Sequence, residues 1–176
     1  ITSAYGVFAA EGDYLPPVSI LKITDADGKI IEQNREQPTR VLDAQIARQI
    51  NDILSDNAAR TPIFGARSPL YLPGYQVAVK TGTTQNLVDG WTIGYTPFAV
   101  VGVWTGNNDN SPTTDAGVGI AAPMWNKVMQ KLIATNPLEN FTAPNPVTTG
   151  SPAQLGQLPP EDTHTILYYV DKNSPQ

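Results

Sequence analysis

The sequence contains no cysteine and only one histidine, His164, among its 176 residues. Without cysteine, the chain has no disulfide scaffold, no thiolate nucleophile and no zinc site with cysteine ligands. A single histidine excludes a metal site built from several histidines, and any Ser-His-Asp triad would depend on His164 alone. Because His164 lies in a proline-rich stretch near the C-terminus, we interpret it as a surface residue. We therefore expect neither a metal nor a cofactor.

Basic residues and long apolar runs are scarce as well. Lysine and arginine total 11 against 16 aspartates and glutamates, which gives a net charge of −5 at pH 7. This balance argues against a nucleic-acid partner, because nucleic-acid binding needs a basic face. No apolar run reaches the roughly 18 residues that a membrane-spanning helix needs. The given residues show no charged region followed by an apolar one, so we expect no signal peptide among them. Since the chain opens inside an apolar periodic stretch, we expect it to be a piece of a larger protein.

The remaining pattern is that of a globular chain that combines helices and strands. Apolar residues make up 40% of the sequence, which is enough to form a core. Their spacing predicts helices over residues 1–10, 43–57 and 123–135, and strands over residues 18–24, 29–33, 75–81, 91–95 and 98–105. A turn at residues 25–28 joins the first two strands into a hairpin. Three prolines predict a loop over residues 61–74.

Burial can be predicted from the same spacing. Asp43 is expected to cap the second helix, and Met124 and Trp125 are expected to lie in the core on the third. Residues 99–104 are apolar on both faces, which predicts a central strand. The stripe expected to be buried on the second helix consists of Ile46, Ala47, Ile50, Ile53 and Leu54.

The predicted fold class is α/β, more narrowly α+β, with an antiparallel sheet of four or five strands and the first and last helices on one face. The composition then changes, because residues 137–176 hold 7 of the 16 prolines and no lysine or arginine occurs between Lys131 and Lys172. We therefore divide the chain into a folded part, residues 1–136, and a proline-rich extended tail or linker. Within the tail, residues 166–170 have the pattern of a late strand.

Residues 80–84, with the sequence Lys-Thr-Gly-Thr-Thr, are the most informative segment because they end an apolar strand. Lys80 supplies a point charge, and Thr81 and Thr83 supply hydroxyl donors. Gly82 lets a ligand approach the backbone. The backbone N–H just after Gly82 could then stabilise an oxyanion. The segment predicts an anion-binding site, with an exposed turn as the alternative. A nucleotide-binding P-loop is excluded, because its lysine follows a glycine and here the preceding residue is valine.

Two further strings fit the motifs of serine enzymes, and we interpret both as accidental. Ser19 and Lys22 fit S-x-x-K, but they lie in a strand pattern, where residues i and i+3 point to opposite faces. The serine of that motif needs its lysine one helical turn away, so that the amine can act as the base. Ser55, Asp56 and Asn57 fit S-D-N, but they end a predicted helix, where such residues serve as caps.

Other polar residues receive structural interpretations. Asp89 and Trp91 are expected to fix a turn between strands and to pack the core. Residues 107–110, with the sequence Asn-Asn-Asp-Asn, are expected to form a self-capping loop rather than a cation site. The aspartates of residues 25–28 are expected to form a turn rather than a calcium loop.

Taken together, these motifs resemble the transpeptidase domain of penicillin-binding proteins, most closely the bifunctional class A kind. The resemblance covers about residues 1–136 and is carried by residues 4–12, 25–28, 79–84, 89–97, 102–107 and 121–125. K-T-G is one of three motifs of such serine enzymes, beside S-x-x-K and an S-D-N type motif. Since only K-T-G is matched, the resemblance implies that the nucleophilic serine lies outside this chain and that the chain alone is inactive.

The resemblance implies a peptidoglycan D,D-transpeptidase that cross-links stem peptides ending in D-Ala-D-Ala through a serine acyl-enzyme and that binds β-lactams. Lys80 is then expected to maintain the proton network and the positive field near the serine. Thr81, Gly82, Thr83 and Thr84 are expected to bind the substrate, with Thr81 and Thr83 at its carboxylate. The N–H of Thr83 is expected to be half of the oxyanion hole.

The resemblance also implies a parent protein at the extracytoplasmic face of a bacterial membrane, anchored by an N-terminal segment outside this chain and carrying a glycosyltransferase domain. The rest of the transpeptidase domain is then the chain's main partner. The alternatives are a serine β-lactamase or D,D-carboxypeptidase, which shares K-T-G, and a non-catalytic cell-wall-binding module. The turns at residues 96–97 and 106–108 and the proline-rich tail favour the class A transpeptidase.

Overall fold

The computed structural model describes residues 1–113, 115, 117–136 and 139–146. Its elements are α1 (Thr2–Ala9), β1 (Asp13–Tyr14), β2 (Lys22–Thr24), β3 (Ile30–Gln33), β4 (Thr39–Arg40), α2 (Ala44–Ser55), α3 (Asn57–Phe64), β5 (Ala78–Thr83), β6 (Asp89–Thr96), β7 (Ala99–Gly106) and α4 (Ala121–Ala134). A short 3₁₀ turn, Gln85–Leu87, joins β5 to β6. Ile1–Pro144 form one compact unit, and Asn145–Gln176 form a second, of which only the first two residues are described. None of the helices described is long and apolar enough to cross a membrane.

The largest sheet has three antiparallel strands in the order β5-β6-β7. The first four strands form two separate two-stranded ladders, in which β1 pairs with β4 and β2 pairs with β3. The predicted hairpin at residues 25–28 is confirmed, and the carboxylate of Asp25 accepts hydrogen bonds from the N–H groups of Asp27 and Lys29. The expectation of one sheet with four or five strands is wrong for the described residues, because the early strands do not join the main ladder.

Helices cover both faces of this sheet, which corrects two further expectations. Gly94 of β6 lies against Trp125 of α4, since a Cβ on Gly94 would come within 2.3 Å of the indole ring. Gly102 of β7 pairs with Ile93, the residue next to Gly94 on β6. Because neighbouring residues of a strand face opposite sides of the sheet, Gly102 faces away from Gly94. It lies against Thr2 of α1. The helices α1 and α4 therefore pack on opposite faces, not on one. Because both cover it, β7 is apolar on both sides although it is an outer strand of the described sheet, not a central one.

The main core lies between α4 and the sheet. Its buried members are Leu70, Leu72, Val77, Val79, Ala122, Trp125, Met129 and Ile133. The helix α4 forms as predicted and places Trp125 in this core. Met124, which was also expected to be a core residue, is 54% exposed. It lies beside the buried stripe, which repeats every three to four residues along the helix.

An aromatic cluster around the buried Tyr95 lies on the other face and joins α1, α2 and β6. The rings of Tyr5 and Phe8 pack on Tyr95, with centroids 6.2 and 6.4 Å from it, and Phe141 approaches Tyr95 to 5.6 Å. The hydroxyl of Tyr95 donates to Oδ1 of Asn51 on α2 at 2.8 Å. Nδ2 of Asn51 donates to the carbonyl of Phe8 at 2.9 Å. This network fixes α2 against α1 and the sheet.

The helices α2 and α3 meet at Asp56. The sequence predicts one helix over residues 43–57, so its predicted end lies close to this junction. Asp43 caps α2 as expected, and its carboxylate accepts a first-turn N–H at 2.8 Å. Asp56 caps α3 in the same way at 3.0 Å. The helix α3 then continues through Pro62 to Phe64, where the prolines predict a loop. Pro62 has no N–H to donate within the helix, and α3 ends two residues after it, where the N–H of Gly65 donates to the carbonyl of Thr61.

The stripe that was expected to be buried on α2 is only partly buried. Ala47 is fully buried, and Ile50 and Leu54 are partly buried. Ile46 and Ile53, in contrast, are 47% and 67% exposed. The helix turns the face that carries Ala47 toward the sheet, so the two isoleucines at its margins point to solvent.

Two further expectations concern strands. The strand β5 starts at Ala78, three residues later than the pattern predicts. The predicted strand over residues 166–170 lies outside the described residues, as does His164.

Residues 139–146 contain neither helix nor strand. The division of the chain after residue 136 stays a prediction.

Candidate active site

The Lys-Thr-Gly-Thr segment, residues 80–83, forms the C-terminal part of β5. In the described sheet β5 is an outer strand, which pairs with β6 on one side only. All of the segment except the half-buried Thr81 is exposed. Antiparallel pairing continues to Thr83, which lies opposite Gly90. The prediction that this segment continues an edge-accessible strand antiparallel to residues 91–95 is confirmed.

The ladder fixes the directions of the backbone groups in this segment. The N–H of Thr84 donates to the carbonyl of Asp89 at 3.1 Å. Opposite residues of an antiparallel pair alternate between hydrogen-bonded and non-hydrogen-bonded positions. Counting back from Thr84, Gly82 directs its N–H and C=O to β6, whereas Thr83 and Thr81 direct theirs to the open edge. The N–H of Thr83 therefore faces the side on which a ligand can approach β5.

Side chains of the segment alternate between the two faces of the sheet. Thr81 and Thr83 share the face of the core residue Val79, and Lys80 projects from the opposite face. Nζ of Lys80 nevertheless reaches the edge, where it donates to the carbonyl of Thr81 at 2.6 Å. A positive charge and the outward N–H of Thr83 thus share one edge, an arrangement that suits an anion.

Asp89 holds the two ends of the β5–β6 connection together. Its N–H donates to Oγ1 of Thr84 at 2.8 Å, and Thr84 Oγ1 donates to Oδ2 of Asp89 at 3.2 Å. The indole N–H of Trp104 donates to the other carboxylate oxygen at 2.9 Å. The prediction that Asp89 fixes a turn is confirmed, and Trp91 lies half-buried opposite Trp104. Thr84 is one of the four predicted substrate-binding residues, and its hydroxyl forms its hydrogen bonds within this turn, to Asp89.

A second wall of the site comes from Thr113 and Gly117, which precede α4 and which the sequence patterns did not identify. The N–H and the hydroxyl of Thr113 both donate to the carbonyl of Leu87, at 2.8 and 2.7 Å. Further along, the carbonyl of the buried Gly117 accepts a hydrogen bond from the hydroxyl of Thr92 at 3.4 Å. These contacts place Gly117 directly against Thr83. A lone glycine in a loop carries no periodicity that could have revealed this contact.

An open groove runs beside β5, between this strand and the helices α2 and α3. Its lining is mostly apolar and consists of Ile53, Leu54, Asp56, Ala59, Arg60, Phe64, Leu70, Val79, Lys80 and Thr81. Arg60 is held in place because it donates to the carbonyl of Leu54 at 2.6 Å. Partial burial lowers the pKa of its guanidinium below the ordinary value. The groove therefore joins an apolar surface directly to the Lys-Thr-Gly segment.

The two accidental motifs lie away from any arrangement that activates a serine. Ser19 precedes β2, which starts at Lys22, so the expectation of a strand at Ser19 is wrong, but neither residue is in a helix. Ser55 ends α2, and its hydroxyl donates to the carbonyl of Asp52 at 3.3 Å. Its neighbour Asp56 serves as the cap of α3. These positions agree with the interpretation that both strings are accidental.

The asparagine-rich loop after β7 closes on itself, as expected. The side-chain amide of Asn107 donates to the carbonyl of Ser111 at 3.1 Å. Oδ1 of Asp109 accepts the N–H and the hydroxyl of Ser111 at 3.0 and 2.7 Å, and these bonds lower the pKa of the Asp109 carboxyl. Within the ranges that the structure describes, no three acidic or histidine side chains are grouped as a metal ion would need.

Sequence comparison identifies relatives of this chain. The sequence model of the penicillin binding protein transpeptidase domain matches residues 1–130. Penicillin-binding protein 1A of Aquifex aeolicus is 32% identical over 146 residues, which cover 82% of this chain and 20% of that protein. The chain spans about a fifth of the length of the curated relatives that it matches.

Structural comparison finds the same relationship. Penicillin-binding protein PonA1 of Mycobacterium tuberculosis superposes with a TM-score of 0.68 at 25% identity, over 86% of this chain and 44% of that one. Penicillin-binding protein A of M. tuberculosis, solved as an imipenem acyl-enzyme complex, shares the fold with a TM-score of 0.56 at 20% identity, over 73% of this chain and 29% of that one. The predicted class of flanking helices on an antiparallel sheet is therefore confirmed. With its first 130 residues matched, the chain belongs to the penicillin-binding protein transpeptidase domain family.

Proposed function

We propose that this chain is the K-T-G-bearing part of a class A peptidoglycan D,D-transpeptidase. One observation carries the proposal. Residues 80–83 lie on the open edge of β5, where the N–H of Thr83 points outward and the ammonium of Lys80 lies beside it. Membership of the transpeptidase family supports the reaction class. The activity, substrates and partners of the whole protein, of which this chain spans a part, are included in the proposal.

In the proposed site, each residue acts on a negatively charged part of the substrate or holds the site in shape. The hydroxyls of Thr81 and Thr83 bind the terminal carboxylate of a stem peptide that ends in D-Ala-D-Ala. Gly82 leaves room for the ligand to lie along β5. Thr84 supports the substrate by fixing the turn through Asp89. Lys80 supplies the positive field that stabilises the reacting serine as it loses its proton.

The serine that this chemistry requires lies outside the chain. Its oxygen attacks the carbonyl carbon of the penultimate D-Ala, and the proton passes through a general base to the departing amine of the terminal D-Ala as the C–N bond breaks. The N–H of Thr83 and a second N–H, that of the serine, stabilise the oxyanion of the tetrahedral intermediate. An amine of a neighbouring strand then attacks the ester, forms the cross-link and releases the serine with its proton.

β-Lactams are proposed ligands of the same site. Their strained amide acylates the same serine, and their carboxylate takes the place of the stem-peptide carboxylate at Thr81 and Thr83. Penicillin-binding protein A of M. tuberculosis, which shares the fold, has been solved as an acyl-enzyme with imipenem. The charge and hydroxyls along the edge of β5 are the features of this chain that suit such a ligand.

The rest of the parent transpeptidase domain is the proposed main partner. The missing serine must come within reach of Thr83, so the segment that carries it must approach the edge of β5. Ile53 on α2 is 67% exposed and lines the groove that leads to Lys80, and Ile63 on α3 is 82% exposed. Covering this apolar surface would stabilise the assembled domain. Following the family resemblance, we also propose an upstream glycosyltransferase domain and an extracytoplasmic location, with membrane contact only through an N-terminal segment outside this chain.

The proposal can be tested by replacing one hydroxyl in the full parent protein. Thr83→Val removes a hydrogen bond to a carboxylate at nearly constant volume, so we expect acylation by benzylpenicillin to slow about 10–100-fold. Thr39→Val is the matched control, because Thr39 is an exposed strand threonine in the separate β1–β4 ladder. The acylation rate constant of each variant is measured by intact mass spectrometry, and the thermal midpoint reports on folding.

The same experiment separates the alternatives. An unchanged rate for Thr83→Val would show that its hydroxyl is not in the site. A protein that forms the acyl-enzyme but releases it rapidly to water would be a β-lactamase or a D,D-carboxypeptidase rather than a transpeptidase. A wild-type protein that takes no β-lactam at all would be a non-catalytic module.

A further inference from the structure

Thr83 is in contact with a residue that has no assigned role, the buried Gly117. Two residues before α4 are anchored to the sheet and its connection: Thr113 donates to the carbonyl of Leu87, and the carbonyl of Gly117 accepts from the hydroxyl of Thr92. The first anchor lies on the turn that follows the Lys-Thr-Gly segment, and the second lies on β6. The position of Gly117 against Thr83 is therefore fixed by contacts that do not involve Thr83.

Gly117 leaves a space that no other residue can leave. Its φ is +62°, and a Cβ at this position would lie 3.0 Å from Oγ1 of Thr83 and 3.3 Å from the carbonyl oxygen of Gly82. Both distances are shorter than ordinary van der Waals contact. The carbonyl belongs to the β5 backbone and is held by the ladder with β6, so the hydroxyl of Thr83 is the group that would have to move.

We propose that Gly117 is a positioning residue that sets the orientation of the Thr83 hydroxyl, and through it the preference of the site for ligands with a carboxylate. The proposal rests on the proposed function, since it assumes that Thr83 binds that carboxylate. A side chain at residue 117 forces Oγ1 of Thr83 to rotate or shift by a few tenths of an ångström. Hydrogen bonds weaken steeply when their angle or distance departs from the optimum, so the ligand carboxylate loses a donor.

The test compares Gly117→Ala with Gly74→Ala in the full parent protein. Gly74 also has a positive φ, +82°, but a Cβ there would have nothing within 4 Å. Both variants therefore carry the backbone cost of alanine in the left-handed region, and only Gly117→Ala disturbs Thr83. Acylation rates are measured with benzylpenicillin and with its methyl ester, which lacks the carboxylate charge.

We expect Gly117→Ala to slow acylation by benzylpenicillin about 5–30-fold, with a much smaller change for the ester, and Gly74→Ala to change neither rate. A general loss of structure would lower both rates together, so the ratio of acid to ester identifies the positioning role. In the Thr83→Val background, Gly117→Ala should cost little more, because the group through which it acts is already absent. Equal acid-to-ester ratios for Gly117→Ala and Gly74→Ala would overturn the inference.

Two further variants keep the outcome decisive. If Gly117→Ala does not fold, Thr113→Val weakens the contact with Leu87 without a clash, because it removes the hydroxyl donor and keeps the N–H donor of residue 113. The acid rate should then fall about 2–5-fold while the ester rate is kept, and an unchanged ratio would contradict the inference. Thr83→Val distinguishes a failure of the proposed function from a failure of the inference about Gly117. If it slows acylation while the Gly117 and Thr113 variants keep the wild-type ratio, the proposed function stands and the inference fails. If it has no effect, the assignment of Thr83 itself is wrong.

Discussion

At the scale of single residues, the buried pair of Asn51 and Tyr95 shows how a polar contact positions the site. Burial raises the pKa of the Tyr95 hydroxyl above its ordinary value, and the nearby Tyr5 raises it further. The neutral hydroxyl is therefore the donor to Asn51 at 2.8 Å in the folded state. Tyr95 lies opposite Ala78, the first residue of β5, so this contact holds the beginning of the strand that carries the Lys-Thr-Gly segment.

We expect Tyr95→Phe to destabilise the protein by about 1–3 kcal/mol, because Oδ1 of Asn51 stays buried without a donor. The free energy of unfolding in urea at pH 7 measures the effect. Tyr71→Phe is the control, since Tyr71 is 38% exposed and loses no buried hydrogen bond. Equal stability of the two variants would show that the Asn51–Tyr95 contact contributes nothing.

The pH dependence gives a second check on the same pair. Because the folded pKa of Tyr95 is raised above the unfolded value of 10.0, its contribution is fully present below pH 10 and is lost as the pH rises toward the folded value. The wild type should therefore lose up to about 1.4 kcal/mol of stability per pH unit above pH 10. This part of the slope should be absent in Tyr95→Phe.

At the scale of secondary-structure elements, a carboxylate between α1 and β1 connects the N-terminal helix to α2. Glu11 follows α1 and accepts a hydrogen bond from the guanidinium of Arg48 on α2 at 2.6 Å. This bond, more than any other contact, lowers the pKa of the Glu11 carboxyl, and a hydrogen bond from Thr142 lowers it further. The contact joins two helices that pack beside β5 and β6.

We expect Glu11→Gln to lower the thermal midpoint at pH 7 by about 1–4 °C, a small effect because the pair is partly solvent-exposed. The folded pKa of Glu11 is below its ordinary value of 4.5. Its contribution is therefore present above pH 4.5 and is lost as the pH falls through the folded pKa. The difference between wild type and variant should shrink in acid, as calorimetry at pH 7 and pH 3 can measure. Glu36→Gln, which makes the same charge change at an exposed residue, is the control.

Elements whose shape is set by local signals could be predicted from the sequence, and elements whose placement depends on distant partners could not. The hairpin at residues 25–28 has its turn chemistry within four residues, and Asp43 caps α2 through its own neighbours. The exposure of Ile53, in contrast, depends on which face of α2 meets the sheet. The outer position of β7 depends on which strands join the ladder, a property that apolar composition does not encode.

The candidate site divides in the same way. Residues 80–83 were identified from their chemistry, because lysine, threonine and glycine after an apolar strand suit an anion. The outward direction of the Thr83 N–H could be established only with the pairing register. Gly117 was missed, since its contact with Thr83 joins residues 34 positions apart along the chain.

At the scale of the whole molecule, the described residues hold the Lys-Thr-Gly segment of the proposed site but no serine placed for activation. No described serine has a lysine one turn further along a helix. Ser55 is at the end of α2 and has alanines at the third and fourth positions after it, so no base lies one turn away. Under the proposed function, the edge of β5 binds the carboxylate of the ligand, and another part of the parent protein supplies the nucleophile for the covalent step.

The 176-residue chain by itself should consequently take no covalent label from a fluorescent penicillin, even at long exposure. Acylation needs a serine activated by a base one turn away, and Ser19 and Lys22 are not in a helix. Reversible binding should be weak as well, because under the proposed function the second oxyanion donor and the opposite wall of the site belong to another part of the parent protein. A longer protein that adds the upstream part of the same parent should recover labelling, at a serine outside this chain. Intact mass and peptide mapping decide the matter, since an adduct on Ser19 or Ser55 would show that one of the two motifs interpreted as accidental is the true nucleophile.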